Sequence, residues 1–290
     1  MLKGAIVAII TPFKNGIFDK ESYKKIIEFQ INNGTDAIIP CGCTGEPATL
    51  SHNEQKEIIE FTLETVNKRV PVIAGTGSNS TKEALELNIF ADKIGVDGVL
   101  IITPYYNKPT QNGLYQHYKT ISETITTPII IYNVPSRTGI SILPETVAKL
   151  SEFKNIIGIK EASGSMDQVS QIINLCTKDF IVLSGDDSMT LPIISIGGKG
   201  VVSVASNIVP KEISQMVKYA LNNEWENARQ IHLNLFNLFK MLFIETNPIP
   251  VKTCLSLMNM INMEWRMPLT APSEENKQKI QKILKSYKLI

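Results

Sequence analysis

Short runs rich in isoleucine and valine alternate along the chain with longer stretches in which apolar residues recur with a helical period. The short runs are apolar at consecutive positions, which is typical of parallel strands buried on both faces. The predicted strands are residues 5–10, 36–40, 71–74, 97–102, 128–132, 155–160, 180–184 and 199–204. The predicted helices are residues 20–32, 53–67, 81–94, 112–124, 144–150, 166–176, 188–196 and 210–221.

Eight strands, each followed by a helix, predict an α/β fold of the (β/α)₈ TIM-barrel type, because right-handed crossovers leave few other topologies. The alternative is a doubly wound open sheet. It would be expected to carry a phosphate-binding glycine fingerprint after its first strand, and residues 10–13 contain no glycine. Residues 224–290 show no strand pattern but contain amphipathic stretches at 224–243, 248–261 and 273–286. We therefore predict a barrel over residues 1–223 and a helical extension over residues 224–290 packed on it.

The near balance of basic and acidic residues argues against a nucleic-acid partner. The 29 basic and 28 acidic residues give a net charge of +1, without the dense basic clusters that nucleic-acid binding requires. The first apolar run, of only about six residues, is too short for a signal sequence or a membrane span. The four cysteines suggest no disulfide framework. We expect a cytoplasmic protein that binds neither nucleic acid nor membrane.

Lys160 closes the sixth predicted strand, and in a barrel the loops after the strands build the active site. An apolar environment lowers the pKa of a lysine and leaves free amine to attack a carbonyl, so Lys160 is the candidate for a Schiff base. The structural alternative is an ion pair with the neighbouring Glu161. Lys108 is the second candidate nucleophile, but it lies in a proline-rich loop where solvent would keep its amine protonated.

Two further loops carry matching chemistry. Tyr132 ends the fifth predicted strand and could transfer protons, while Arg137 in the following loop could bind a substrate carboxylate through two hydrogen bonds. The glycine-containing loop at residues 41–46 could hold an anion with its backbone N–H groups. Its Cys-x-Cys pair falls short of a four-ligand metal set, and the three histidines are scattered, so we expect no metal site.

Four motifs at strand ends resemble those of the dihydrodipicolinate synthase family, and the resemblance covers essentially the whole chain. They are Gly-x-Thr-Gly-Glu, Pro-Tyr-Tyr-Asn, Tyr-Asn-Val-Pro-x-Arg-Thr-Gly and Ile-Lys-Glu-Ala-Ser-Gly, after the second, fourth, fifth and sixth strands. The resemblance implies a lyase of lysine and diaminopimelate biosynthesis. It would condense pyruvate with L-aspartate 4-semialdehyde to 4-hydroxy-tetrahydrodipicolinate, without a cofactor, as a homotetramer built from two dimers.

The resemblance also assigns roles to individual residues. The implied catalytic residues are Lys160 as the Schiff-base lysine, with Tyr132, Cys43 and, from a neighbouring subunit, Tyr106 as the proton relay. The implied substrate-binding residues are Thr44 for the pyruvate carboxylate, Arg137 for the semialdehyde carboxylate, and Gly185 and Val202. Where the family has a hydroxyl residue, usually threonine, this chain has Cys43. A thiol is a weak hydrogen-bond donor, so we expect an altered relay and the same reaction type.

Some family members are inhibited by lysine in a pocket at a dimer interface. The residues that match this pocket are His52, Asn79, Glu83 and Tyr105, whereas Pro47 and Gln55 depart from the pattern of the sensitive enzymes. Feedback inhibition is therefore a hypothesis.

Two other functions fit part of the pattern. One is a retro-aldol lyase for a longer 2-oxo sugar acid, against which Arg137 argues because it matches a compact carboxylate substrate. The other is a non-catalytic sensor that binds small acids reversibly without a covalent adduct.

Overall fold

The computed structural model describes residues 2–290, and its largest sheet has eight parallel strands in a nearly closed ring. The strands in chain order are β1 (Gly4–Ala8), β2 (Phe13–Lys14), β3 (Ile17–Phe18), β4 (Ala37–Ile39), β5 (Ile73–Gly75), β6 (Gly98–Ile102), β7 (Ile129–Asn133), β8 (Ile156–Glu161), β9 (Ile181–Ser184) and β10 (Gly200–Ser203). The order in the ring is β4-β1-β10-β9-β8-β7-β6-β5, and an isolated parallel bridge from Ile38 to Val72 joins its two ends. The predicted (β/α)₈ barrel is confirmed.

Twelve α-helices lie in the described part of the chain. They are α1 (Lys20–Asn32), α2 (His52–Val66), α3 (Thr81–Ile94), α4 (Gln111–Ser122), α5 (Pro135–Thr138), α6 (Pro144–Leu150), α7 (Met166–Leu175), α8 (Thr190–Ser195), α9 (Pro210–Leu221), α10 (Trp225–Met241), α11 (Ile249–Leu257) and α12 (Glu274–Ser286). Within residues 2–290, no helix combines the length and the apolar character that crossing a membrane requires.

Local sequence explains where several helices begin. The Ser51 side chain accepts a hydrogen bond from the backbone N–H of Glu54, whose carboxylate accepts one from the backbone of Ser51, which is a capping box at the start of α2. Ser80 and Ser165 cap α3 and α7 in the simpler manner, through a single side-chain oxygen.

Several short elements, α5 among them, were not predicted, and two further differences have a local explanation. Strands β2 and β3 form a small hairpin that was not predicted, because two-residue strands are too short to show a periodic pattern. The helix predicted over residues 188–196 divides into a 3₁₀ turn, Asp187–Met189, and α8, since Asp186 caps the turn. Both differences lie in short connecting segments, and the order of the eight barrel strands is unaffected.

The core has two layers, as expected for strands buried on both faces. Side chains that fill the inside of the barrel include Ile6, Ile39, Leu100 and Leu183. The second layer lies between the barrel and its surrounding helices. After α9, the chain continues with α10 packed against α9, and α12 packs against both α10 and α11.

Candidate active site

Lys160 and Tyr132 lie side by side on adjacent strands at the carboxyl end of the barrel. Parallel pairing of β7 with β8 places Tyr132 opposite Lys160, and the Lys160 Nζ lies 4.0 Å from the centroid of the Tyr132 ring. Both side chains are buried, each with 5% of its surface exposed. The strand register therefore places an amine and a phenol in contact at the mouth of the barrel.

Burial shifts the pKa values of Lys160 and Tyr132 in directions that suit attack of an amine on a carbonyl group. Desolvation lowers the pKa of Lys160 to about 8, with the nearby Arg137 guanidinium acting in the same direction and Cys43 and Asp187 opposing it. Desolvation also raises the pKa of the Tyr132 phenol well above its usual value, and the neighbouring Cys43 adds to this rise. Part of the amine is thus neutral near pH 7, while the phenol keeps its proton and can donate it.

Glu161 follows Lys160 in the chain but does not pair with it. Its carboxylate accepts hydrogen bonds from Asn133 Nδ2 at 3.0 Å, from Gln168 Nε2 at 3.1 Å and from the backbone N–H of Ser163 at 2.6 Å. Because side chains alternate along a strand, Glu161 points to the opposite face of β8 from Lys160. Among residues 2–290, no carboxylate forms an ion pair with Lys160.

The loop after β4 approaches the barrel axis and carries Cys43 and Thr44 in a 3₁₀ turn. A side chain at Gly75 would place its Cβ only 2.2 Å from the Cys41 carbonyl oxygen, so the close approach requires glycine there. Thr44 is buried, and its Oγ1 accepts a hydrogen bond from Asn247 Nδ2 at 3.0 Å. This loop is therefore held from both sides, by a neighbouring strand and by the segment between α10 and α11.

A buried ion pair fixes the end of the same loop. Lys252 in α11 contacts Glu46 at 2.5 Å, with both side chains almost completely buried, and the Lys252 Nζ lies 4.4 Å from the centroid of the Phe13 ring. Burial lowers the pKa of Lys252, and the Glu46 carboxylate opposes that change. Since separating a buried pair is costly, this contact anchors the loop to the C-terminal helices.

A cavity of about 460 Å³ opens above these residues. Its lining includes Cys43, Tyr132 and Arg137 from the predicted site, together with Asn247. Arg137 lies in α5, a short helix that begins with a proline and ends at a left-handed glycine, and its Nη2 donates to the Asn247 backbone carbonyl at 2.9 Å. The cavity lining thus brings together a phenol, a thiol and a guanidinium, and the Lys160 amine lies against the ring of the lining residue Tyr132.

Gly185 and Val202 lie close to the floor of the site. A Cβ at Gly185 would come within 3.1 Å of the Lys160 Cε, so the absence of a side chain leaves room for the lysine. Val202 is buried among the side chains that fill the inside of the barrel, with Tyr132 in the same group.

Tyr106 is the one predicted catalytic residue that does not approach the site of its own chain. Its side chain is 88% exposed, and its backbone has a φ of 72°. The second candidate nucleophile, Lys108, is also exposed in this loop.

Three of the four residues predicted to bind lysine line the cavity in the single chain. These are His52, Glu83 and Tyr105, and Ser78 Oγ donates to Glu83 at 2.7 Å. Asn79 follows Ser78 directly in the chain, and its backbone carbonyl accepts a hydrogen bond from Asn107 Nδ2 at 2.9 Å. The two departures from the sensitive pattern, Pro47 and Gln55, also line the cavity.

Two residues near the site were not identified from the sequence. Asn247 belongs to the C-terminal extension, where no local pattern links it to a barrel loop far away in the chain. Asp187 is buried, accepts hydrogen bonds from Ser203 Oγ and from the backbone of Val204 and Ala205, and has its pKa raised to about 6 by burial. Its position after the seventh barrel strand was a usable signal, because that end of the barrel carries the functional residues.

Within residues 2–290, no group of three or more histidine, cysteine, aspartate or glutamate side chains is arranged to hold a metal ion.

Known proteins match the chain along its whole length. A model of the Dihydrodipicolinate synthetase family matches residues 1–287. The 4-hydroxy-tetrahydrodipicolinate synthase of Geotalea uraniireducens is 54% identical over 290 residues, which is 100% of both chains. The dihydrodipicolinate synthase structure from Aquifex aeolicus is 50% identical over 99% of both chains, with a TM-score of 0.98. The chloride-inhibited dihydrodipicolinate synthase from Acinetobacter baumannii, complexed with pyruvate, is 42% identical over 100% of both chains, also with a TM-score of 0.98. These matches confirm the resemblance drawn from the four motifs.

Proposed function

The chain belongs to the dihydrodipicolinate synthetase family, and from this premise we propose that it condenses pyruvate with L-aspartate 4-semialdehyde through a Schiff base on Lys160. The product is 4-hydroxy-tetrahydrodipicolinate, in the biosynthesis of lysine and diaminopimelate. The observation that carries the proposal is the buried Lys160 amine, with its lowered pKa, in contact with Tyr132 beside the cavity. A nucleophilic lysine needs this combination of low pKa and access to a carbonyl.

The chemistry begins when the neutral Lys160 amine attacks the ketone carbon of pyruvate. The resulting carbinolamine loses water, and the Tyr132 phenol, which burial keeps protonated, supplies a proton to the departing hydroxyl. The Tyr132 phenolate then takes a proton from the pyruvate methyl carbon, which gives an enamine. The enamine forms a carbon–carbon bond to the aldehyde carbon, and the aldehyde oxygen takes up that proton to become a hydroxyl. The amino group of the semialdehyde finally displaces Lys160 from the imine carbon, which closes the ring and frees the enzyme.

The two carboxylates of the substrates are held by different parts of the site. Thr44 binds the pyruvate carboxylate through its hydroxyl, next to Cys43, and Gly185 and Val202 complete the floor beside the Schiff base. Arg137, which lines the cavity, binds the semialdehyde carboxylate. This division places the ketone at the amine and the aldehyde above it. Cys43 stands in the relay where a hydroxyl is usual, so proton transfer through this member is altered.

The relay is completed by a second copy of the chain. Tyr106 is too exposed to act in its own cavity, which supports its insertion into the site of a neighbouring subunit. The assembly is a homotetramer built from two dimers, located in the cytoplasm. A Tyr106→Phe variant should lose turnover, and mixing it with an active-site variant should restore some activity through hybrid dimers. Absence of any restoration after subunit exchange would exclude a shared site.

The outer part of the cavity is a lysine-binding pocket, with Glu83 facing the ammonium group and His52, Asn79 and Tyr105 around the ligand. Glu83 and Tyr105 line the same cavity as the catalytic group, which supports communication between the two regions. Saturating L-lysine should lower the rate and raise the melting temperature. A rate and a melting temperature that both stay constant would refute feedback inhibition.

The decisive experiment traps the Schiff base. The protein is incubated with pyruvate, reduced with borohydride and measured by intact mass, alongside Lys160→Ala and the matched control Lys108→Ala. We expect one reduced pyruvyl adduct on the wild type and on Lys108→Ala and none on Lys160→Ala. Binding without an adduct would instead indicate the small-acid sensor.

A second assay separates the synthase from the sugar-acid lyase. With pyruvate and L-aspartate 4-semialdehyde present, the synthase product is detected by coupling to a downstream reductase. Failure to turn over the semialdehyde, combined with cleavage of a longer 2-oxo sugar acid to pyruvate, would assign the retro-aldol reaction.

A further inference from the structure

Asn247 joins the two groups that are proposed to bind the two substrate carboxylates. Its side-chain Nδ2 donates to Thr44 Oγ1 at 3.0 Å, and its backbone carbonyl accepts from Arg137 Nη2 at 2.9 Å. Asn247 lines the active-site cavity and is only 4% exposed. One residue of the C-terminal extension therefore contacts both ends of the predicted substrate site.

Which of the two residues donates the hydrogen bond between Asn247 and Thr44 determines whether the Thr44 hydroxyl can donate to a ligand. A threonine hydroxyl has one proton to donate and can also accept. Because Asn247 Nδ2 is the donor, Thr44 Oγ1 acts as the acceptor in this contact, and its own proton stays free for a ligand. A carboxylate accepts hydrogen bonds and donates none when ionised, so only a threonine with a free proton can bind it.

The orientation of the Asn247 amide has a second structural consequence, at its side-chain oxygen. Asn247 Oδ1 is buried and has no hydrogen-bond partner among the described residues. Buried acceptors without a partner are uncommon in native proteins, since each one has lost its hydration without replacement. The chain tolerates this cost in the orientation that keeps the Thr44 proton available.

The segment that carries Asn247 is well anchored. Five positions further along the chain, Lys252 forms the buried ion pair with Glu46, which is two residues after Thr44. The two contacts join the same pair of segments, so the amide is held at a defined position relative to the hydroxyl.

We propose that Asn247 is a positioning residue that orients the Thr44 hydroxyl toward the pyruvate carboxylate. This inference rests on the proposed function, because it assumes that pyruvate is the acid bound there. It assigns to the C-terminal extension a direct part in recognition of the first substrate. The backbone carbonyl of Asn247 supports Arg137 independently of the side chain, so the two substrates should respond differently to side-chain substitution.

The test replaces the amide with an uncharged group of similar size, Asn247→Leu. The measurement is the pyruvate concentration that gives half-maximal borohydride-trapped adduct, together with KM for the semialdehyde at saturating pyruvate. We expect the pyruvate requirement to rise by roughly tenfold, the scale of one hydrogen bond to a charged group, and KM for the semialdehyde to stay within about twofold. Asn247→Asp should weaken pyruvate further, because a carboxylate takes the Thr44 proton and repels the substrate.

A double-mutant cycle separates positioning from a general structural role. In a Thr44→Val background, Asn247→Leu should cause no further loss of pyruvate affinity, since the hydroxyl through which it acts is gone. The matched control is Asn155→Leu at the opposite end of the barrel, where the amide donates to the carbonyls of Ser122 and Ile125. That control should lower the melting temperature and leave the pyruvate requirement unchanged.

The outcomes that overturn the inference are distinct from those that overturn the function. An unchanged pyruvate requirement in Asn247→Leu, whatever the effect of Asn247→Asp, or an equal loss with and without Thr44, refutes positioning while the wild-type adduct still forms. A wild type that forms no pyruvate adduct refutes the proposed function, and the inference falls with it. If Asn247→Leu does not fold, Asn247→Ala, which also removes the amide without adding charge, provides the same comparison.

Discussion

Replacing Lys160 with methionine should make the protein more stable at neutral pH while abolishing the Schiff base. The lysine is 5% exposed, and burial lowers its pKa from 10.5 to about 8. Below pH 8 the folded protein therefore holds a charged amine in a poorly solvated site. Methionine has a similar length and carries no charge, so Lys160→Met removes this cost and keeps the volume.

The magnitude follows from the pKa difference. A fall from 10.5 to about 8 corresponds to roughly 3 kcal/mol of unfavourable free energy at pH 7. The contact with the Tyr132 ring at 4.0 Å favours the charged amine by about 0.5–2 kcal/mol, which offsets part of this cost. Desolvation is the larger effect, so we expect Lys160→Met to gain about 1–3 kcal/mol in free energy of unfolding.

The stability difference between wild type and Lys160→Met should depend on pH in a defined direction. Between about pH 8 and 10.5 the unfolded lysine binds more protons than the folded one, so the stability of the wild type rises with pH in this window. The advantage of Lys160→Met should thus be full below about pH 8 and decline toward pH 10.5. Above that range the two proteins should differ only by the packing of the substituted side chain.

The assay is urea denaturation of wild type and Lys160→Met at several pH values and one protein concentration. The control is Lys154→Met, at an exposed position on the other end of the barrel, which should change stability by less than about 0.5 kcal/mol. A Lys160→Met variant that is less stable than wild type at pH 7 would refute the reasoning. So would a stability difference that stays constant from pH 7 to 10.5.

Three further predictions concern neighbouring residues. Cys43→Thr should retain or raise turnover at saturating substrates, because a hydroxyl is a better hydrogen-bond donor than a thiol; a collapse of the rate would show that the thiol is itself required. Lys252→Met leaves the buried Glu46 without its cation and should lower the free energy of unfolding by about 3–5 kcal/mol in chemical denaturation, whereas adding Glu46→Gln should restore part of the loss. Unchanged stability would contradict this. Arg137→Leu should raise KM for the semialdehyde by roughly 10- to 100-fold without a matching effect on pyruvate trapping, and an equal loss for both substrates would argue against its assigned role.

The order of the barrel strands and the place of Lys160 follow from local pattern. Apolar runs identify each buried strand, and a single rule places every residue that follows a strand at the same end of the barrel. The bounds of α1 and α3 match the ranges predicted from periodicity to the residue, and in the structure Asp19 and Ser80 cap their first turns. Lys160, Tyr132 and Arg137 could thus be assigned to one site before any contact was known.

Tertiary structure alone decided the contacts made across long distances in the chain. An ion pair with Glu161 was the structural alternative for Lys160, yet the alternation of side chains along β8 directs Glu161 to Asn133 and Gln168. Asn247 reaches Thr44 from 203 positions away, and no local pattern encodes that distance. The pKa of Lys160 likewise depends on burial by strands and loops that meet only in the folded barrel. The sequence determined which residues stand at the mouth of the barrel, because strand ends are local features. The fold decided which partner each of them has, because hydrogen bonds and desolvation depend on distances in space.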